Sequence, residues 1–355
     1  MSALPSTFDV DYGLAAPLRR EPLRALSHFP RAWSAEGLAR REDELFHDLG
    51  DEARIEIRHA LEHIRANQFS LATVEQEDMR LPAFARVIPA LRARLDHGIG
   101  FFVLRGLPFD EMSFDEAQIL AWVVSNYLGK VIRQNYTGLR VELLKDQKRS
   151  DGDPYRISQT NRFFAFHSDN GVLEPRPPNY IGLTCLRAAK QGGESVLVSA
   201  YTLHNELLAR HPDLLDVLYG EFHADKPQLQ TRAGAKDRPV RYPIFQRQGA
   251  ELFMRYNREF LEQGAAKAGV VLPAEAATAF DVLDELMQRE ELLFRYKLQR
   301  GEVLIANNLA TLHSRTAYID DERPGMERQL LRSWMWRRHA YPGVDPVELD
   351  LDELG

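Results

Sequence analysis

The chain has one cysteine, Cys185, in 355 residues. A single thiol closes no internal disulfide and builds no cysteine-based metal site. It also suits a reducing cytoplasm, which is the expected location. Net positive charge is missing as well: 45 Lys and Arg stand against 52 Asp and Glu, a balance of −7. Binding a phosphate backbone requires a positive footprint, so no nucleic-acid partner is expected. No apolar run approaches the roughly 18 residues of a membrane span. Residues 1–12 have neither the basic nor the apolar region of a signal peptide, so no membrane association is expected either. Internal repeats and low-complexity linkers are absent. What is present is an ordinary apolar fraction, 44%, enough for a sizeable core.

Residues 1–95 are rich in Arg, Ala and Leu and read as an N-terminal helical extension packed on the core that follows. The run Ile99-Gly-Phe-Phe-Val-Leu-Arg105, closed by Gly106 and Pro108, is a buried-strand signal. Ser113 and Glu116 make a capping box. An apolar face of Ile119, Leu120, Val123, Val124 and Tyr127 follows, and Gly129 ends it, which predicts a helix over 113–128. Further strands are predicted at 180–186, 194–198, 252–256, 302–306 and 330–336, with turn signals at Gly192-Gly193 and Asn307-Asn308. Helices are predicted near 200–210, 212–220 and 274–290. Residues 224–245, with three prolines and several charges, read as a long surface loop of the kind used for lids. The main domain is thus expected over 96–340, followed by an acidic tail at 341–355.

His167-Ser168-Asp169 is answered far downstream by His313. Two imidazoles and a carboxylate are the set that holds a non-haem iron(II) on one face and leaves the opposite positions open. Side chains two apart in a strand share a face, so His167 and Asp169 are expected to reach one ion. The apolar lead-in Phe163-Phe-Ala-Phe-His167 would place them at the end of a core strand. The triplet alone says little, because His223-Ala224-Asp225 repeats it. That copy follows a helix, leads into the long loop and has no later partner, so it reads as a loop histidine beside an aspartate. His59-Ala-Leu-Glu62-His63 fits the H-x-x-E-H pattern of zinc metalloproteases. Ile57, Leu61 and Ile64 define the buried face of that helix, however, and leave both histidines on the solvent side. Arg328 and Arg332, four apart on a predicted strand, share a face. Inward arginines on a core strand are costly unless they meet anions, so the pair is expected to bind them.

Five pieces stand in order: Gly-Phe-Phe-Val-Leu-Arg-Gly (100–106), Phe-His-Ser-Asp (166–169), Gly-Gly-Glu-Ser-Val (192–196), Leu-His-Ser-Arg-Thr (312–316) and Arg-Gln-Leu-Leu-Arg (328–332). With this ordered set the chain resembles the taurine dioxygenase (TauD/TfdA-like) family of iron(II)/2-oxoglutarate-dependent oxygenases, in the clavaminate synthase-like superfamily. The resemblance runs over roughly residues 98–338. It implies a mainly β fold with flanking helices, built on a double-stranded β-helix, or jelly roll. It implies Fe(II) held by His167, Asp169 and His313, with O2 as oxidant. 2-Oxoglutarate would be the co-substrate, its distal carboxylate on Arg328 and on the hydroxyl of Ser195, which stands where family members often have threonine. Arg332 matches the arginine that binds an acidic group of the substrate in some members. Gln134, Asn135 and Tyr136 follow the 113–128 helix where related enzymes bring a loop near the substrate.

The reaction so implied is hydroxylation of an unactivated C–H bond of a small carboxylate-, sulfonate- or amino-acid-like molecule, with release of succinate and CO2. The small-molecule partner is therefore expected to be anionic or zwitterionic. Asp169 occupies the position that related halogenases leave to chloride, which favours hydroxylation over halogenation. Desaturation or cyclisation on the same scaffold, or a non-catalytic jelly-roll sensor of a small anion, are the alternatives. Homo-oligomers are common for this fold. Two readings stand for Arg315, a pocket residue or a member of a structural ion pair. Ser158, Gln159, Thr160 and Asn161 either cover the site or form a turn. His204 and His211 read as surface histidines.

Overall fold

The computed structural model describes residues 18–19, 21–135, 138–148, 154–172, 177–225 and 238–337. The strand Phe101–Arg105 shows how its layers are arranged, because it is buried on both faces. Alternation sends Phe101 and Val103 one way and Phe102 and Leu104 the other. Phe101 and Val103 join Ile181, Leu183, Leu197, Leu304 and Trp334 in an apolar cluster between two sheets. Phe102 and Leu104 join a second cluster, under the helices Asp51–Asn67, Pro82–Asp96 and Phe114–Leu128. A third cluster packs Val196, Val198 and Leu312 against the helices Ala200–Arg210 and Ala274–Leu286, outside the other sheet. The result is a jelly roll with helices on its outer faces.

The larger sheet runs in the order Phe46–Asp48, Phe101–Arg105, Val303–Asn307, Tyr180–Arg187, Gln329–Trp336, Lys130–Ile132, with Val141–Leu144 also paired to Gln329–Trp336. Its pairings are antiparallel except the first, where a strand from the N-terminal segment adds in parallel. The smaller sheet runs Leu293–Tyr296, Ser195–Ser199, Thr311–Arg315, Phe164–His167. Two of its neighbours matter most: in the pairing of Thr311–Arg315 with Phe164–His167, His313 lies directly opposite His167.

Most predicted elements are present within a residue or two, and the capping box of Ser113 and Glu116 closes both hydrogen bonds. The helix Arg258–Lys267 was not predicted. Gly264 in its middle acts as a spacer: a Cβ at 264 would lie 2.4 Å from the Ala224 Cα. The predicted loop at 224–245 instead contains a strand, Val240–Pro243, paired antiparallel with Glu221–Ala224; residues 226–237 lie outside the described residues. So do Tyr136 and the acidic segment 341–355.

Two histidine readings part ways. His59 and His63 are exposed, as the helical wheel requires. His204 is a correction: it is fully buried, 2.9 Å from the Tyr219 hydroxyl through Nε2 and edge-on to Phe245. The sequence places it on a helix, but the helix Ala200–Arg210 is covered on several sides, so a polar residue does not mark its outer face.

Candidate metal and co-substrate site

Cross-strand register brings the two imidazoles together. His167 ends one strand of the smaller sheet and His313 sits in the next, their ring centroids 4.2 Å apart. The Phe164 ring stacks on His167 at 4.0 Å. His167 Nδ1 lies 2.8 Å from the Ala165 carbonyl, so the proton belongs there and Nε2 keeps its lone pair. That Nε2 is buried, has no hydrogen-bond partner, and lies 3.3 Å from Asp169 Oδ1. His313 Nε2 is 3.8 Å from the same oxygen.

Asp169 reaches the site differently from the expectation. The strand ends at His167, so Asp169 stands in the following turn rather than on the same strand face. Tertiary bonds set its position. The Asp169 N–H donates to Asn308 Oδ1 at 2.7 Å, and Asn308 Nδ2 donates back to the Asp169 carbonyl at 2.8 Å and to that of Pro178 at 3.0 Å. The Tyr256 N–H donates to Ser168 Oγ at 3.0 Å, which pins the residue between the ligands. Trp334 Nε1 donates to Asp169 Oδ2 at 2.8 Å, leaving Oδ1 toward the imidazoles. Asn308 and Trp334 are functional neighbours that sequence reasoning missed; the only signal was a turn dipeptide and an apolar strand position.

Electrostatics prepare the same three groups. Burial opposes ionisation of Asp169, but Arg332 beside it and the two imidazoles outweigh burial and hold its carboxyl well below the usual carboxylate range. Burial, then the neighbouring His167, pushes His313 down to about 3, against the pull of Asp169, so its ring is neutral. Two imidazoles and a carboxylate within 4.8 Å of one another are a set that can hold a divalent ion. The unpartnered Nε2 of His167 and the N2O donor set both fit iron(II).

Beside this triad a cleft of about 450 Å³ is lined by Ser195, Arg315, Arg328, Leu183, Leu330 and the two histidines. Arg328 precedes the strand Gln329–Trp336 of the larger sheet; its backbone N–H donates to Asp320 Oδ1 at 2.7 Å, and its buried Nη1 has no partner. Burial lowers its affinity for the proton. Ser195 opens the strand Ser195–Ser199 and is buried against the same cleft. A second cavity of about 700 Å³ shares His167, Asp169, Phe164 and Arg332 with this cleft. Gln134, Asn135, Glu142, Asn170, Asn257 and Arg332 lie along its walls.

The sequence profile of the "Taurine catabolism dioxygenase TauD, TfdA family" matches residues 65–334. The chain belongs to this family. It is 30% identical over 296 residues to the FR-33289 synthase of Streptomyces rubellomurinus (strain ATCC 31215), covering 81% of this chain and 84% of that protein. It is 25% identical over 295 residues to the taurine hydroxylase-like protein SAT17 of Stachybotrys chartarum, covering 78% and 71%. Among solved structures it is similar in fold to an asparagine oxygenase in complex with Fe(II), 2S,3S-3-hydroxyasparagine and succinate. The TM-score is 0.62 at 19% identity, over 82% of this chain and 93% of that one. It is also similar to the non-heme iron oxygenase OrfP in complex with Fe and alpha-ketoglutaric acid, with a TM-score of 0.57 at 19% identity and the same coverage. This TauD/TfdA-family protein is a non-haem iron dioxygenase that uses Fe(II), 2-oxoglutarate and O2.

The remaining predicted residues of this family member fall mostly along these two cavities. Arg332 sends Nη1 to Asp169 Oδ1 at 3.3 Å, Nη2 to Glu142, and Nε to Gln134 Oε1 at 2.9 Å. Gln134 is buried and donates in return to the Arg332 carbonyl at 2.7 Å. Asn135 accepts the Leu139 N–H at 3.2 Å and borders the larger cavity. Arg315 is buried and lines the cleft with Ser195 and Arg328; it bonds carbonyls of the 158–162 segment. Ser158 and Gln159 border the larger cavity. His223, on a strand opposite Arg241, has its Asp225 neighbour paired with Lys267 and takes no part in a metal cluster among the described residues.

Proposed function

We propose that this dioxygenase hydroxylates a small zwitterion of amino-acid type. In this reading His167 Nε2, Asp169 Oδ1 and His313 hold Fe(II), and Arg328 with Ser195 fixes the distal carboxylate of 2-oxoglutarate. A guanidinium–carboxylate pair is charge-assisted and bidentate, so it orients the co-substrate as well as binding it. Bound there, iron and 2-oxoglutarate supply the oxidising chemistry, with succinate and CO2 as the co-products. The chain supplies geometry and dryness: apolar Phe164, Leu183 and Leu330 border the cleft, so water is scarce around the co-substrate.

One observation supports a zwitterion over a simple anion. Arg332 is the sole guanidinium bordering the larger cavity among the described residues, and both Asp169 and Glu142 already pair with it. A lone carboxylate or sulfonate would enter a compartment without a spare cation. A zwitterion brings its own ammonium to Glu142 and places its carboxylate on the edge of Arg332 thus released. Gln134 and Asn135 then face the same ligand. The asparagine oxygenase and OrfP complexes, with hydroxylated asparagine and arginine, are consistent with this class.

The division into a helical extension (1–95) and an oxygenase unit (96–340) belongs to the same proposal. It is supported by the way the Asp51–Asn67 and Pro82–Asp96 helices cover one sheet. So does residence in a reducing cytoplasm, where the buried free thiol of Cys185 would stay reduced; among the described residues no helix is long and apolar enough to cross a membrane.

The test is succinate release from 2-oxoglutarate across a panel of amino acids, their N-acetyl and deaminated analogues, dicarboxylates and sulfonates. Stimulation by free amino acids, lost with N-acetylation and lost in Glu142→Gln, is expected. Stimulation by deaminated acids or sulfonates equal to that by amino acids would overturn the zwitterion.

A further inference from the structure

The co-substrate cleft holds two buried guanidiniums. Arg315 ends the strand Thr311–Arg315, two residues past His313 and so on the same face of it. Both guanidinium carbons lie 5.0 Å from the centroid of the Tyr318 ring, so Arg315 and Arg328 flank one aromatic side chain. Each keeps a buried nitrogen without a hydrogen-bond partner, Nε of Arg315 and Nη1 of Arg328. Burying one cation without a counter-ion is expensive, and burying two together costs more still. A charge arrangement of this kind is relieved by an anion.

The rest of the Arg315 guanidinium is engaged elsewhere. Nη1 donates to the Ser158 carbonyl at 3.4 Å and Nη2 to that of Arg162. Ser158 borders both the co-substrate cleft and the larger cavity. The same segment also touches Glu142, through Gln159 Nε2 at 3.4 Å.

We propose that Arg315 is a second co-substrate-gripping residue, which holds the distal carboxylate of 2-oxoglutarate together with Arg328 and transmits its presence to the 158–162 wall of the substrate compartment. The inference rests on the reading that the Ser195–Arg328 end of the cleft takes 2-oxoglutarate. Its two halves follow from one side chain. The free Nε meets the anion, while the Nη groups hold two carbonyls. An anion that fixes the guanidinium therefore also fixes the segment, and the coupling is reciprocal between the two compartments.

The experiment uses the full chain loaded with Fe(II) without oxygen, titrated with 2-oxoglutarate and followed by the visible charge-transfer band of the chelate. Hydrogen–deuterium exchange over residues 157–163 is recorded with and without 2-oxoglutarate. Arg315→Met is expected to weaken 2-oxoglutarate by about tenfold or more, the loss of one charge-assisted bond, with Fe(II) affinity within about twofold. Arg315→Lys keeps the charge and loses the fork. It is expected to bind 2-oxoglutarate with intermediate affinity while losing the ligand-induced protection at 157–163; it also decides the matter if the methionine variant does not fold. Arg328→Ala is the control. Unchanged 2-oxoglutarate affinity in both Arg315 variants, with Arg328→Ala impaired, overturns this proposal alone. Unchanged affinity in Arg328→Ala as well overturns the placement of the co-substrate.

Discussion

Asp169 depends on groups that are far from it in sequence. Its backbone is held by Asn308, its Oδ2 by Trp334, and its Oδ1 faces two imidazoles and Arg332. Partners of this kind orient a ligand and tune its basicity, and their loss commonly costs about ten- to a hundredfold in metal affinity. Trp334→Phe keeps the ring in the apolar cluster and removes only the N–H. We expect Fe(II) affinity to fall about tenfold with little change in thermal stability, as read by anaerobic iron titration beside a melting curve. An unchanged iron affinity would mean that Oδ2 needs no partner. The arginines make the complementary point. Arg328 and Arg315 lack carboxylate partners among the described residues, whereas Arg332 pairs with two. Residues of one type, within twenty positions, thus separate into two with an unpartnered buried nitrogen and one internal clamp.

Elements position these residues by register. His313 opposes His167 across two strands, and Arg315 opposes both Phe164 and Ser195, with a one-residue irregularity between the two histidine and arginine pairings. Such irregularities re-aim side chains beside active sites. The helix Arg258–Lys267 contributes in the same way: Asn257, which caps its first turn by accepting the Phe260 N–H at 3.3 Å, borders the larger cavity with Phe260 itself. Its place depends on Gly264. Alanine there would gain about 1 kcal/mol of helix propensity, but its Cβ would lie within 2.6 Å of three Ala224 backbone atoms. Overpacking of this sort costs about 1–3 kcal/mol. Gly264→Ala is therefore expected to destabilise on balance, measured by urea unfolding, and a more stable variant would show that the helix is free to move away from Ala224.

Across the whole molecule, three apolar clusters share two sheets, so a charge gained inside any one of them is felt in global unfolding. His204 lies in the outer group against Tyr219 and Phe245, and burial, with a smaller contribution from Arg24, pushes it down to about 4. A histidine depressed in the folded state stabilises fully above its unfolded value of 6.5, and that contribution is lost as pH falls from there through about 4. The shift corresponds to about 3 kcal/mol at most. Urea unfolding at pH 7, 5.5 and 4 should show a steeper acid loss for the native chain than for His204→Gln; parallel curves would remove His204 as the cause.

The five ordered motifs and the strand and helix patterning were legible in the sequence because they are local: alternation, capping and turn chemistry act within a few residues. Those motifs also carried the family, and through it the jelly roll, iron and 2-oxoglutarate. Tertiary structure alone decided the rest. It put Asp169 in a turn instead of on a strand face, buried His204, kept a glycine inside a helix, and gave Arg332 to Glu142 and Asp169 while leaving Arg315 beside Arg328. Each of these depends on a partner forty or more residues away, except the His204–Tyr219 contact, fifteen apart across a turn between helices, and the Arg315–Arg328 neighbours, thirteen apart. Local sequence sets which side chains an element offers. Which charge faces which, and what is shut away from water, follows only when distant segments pack.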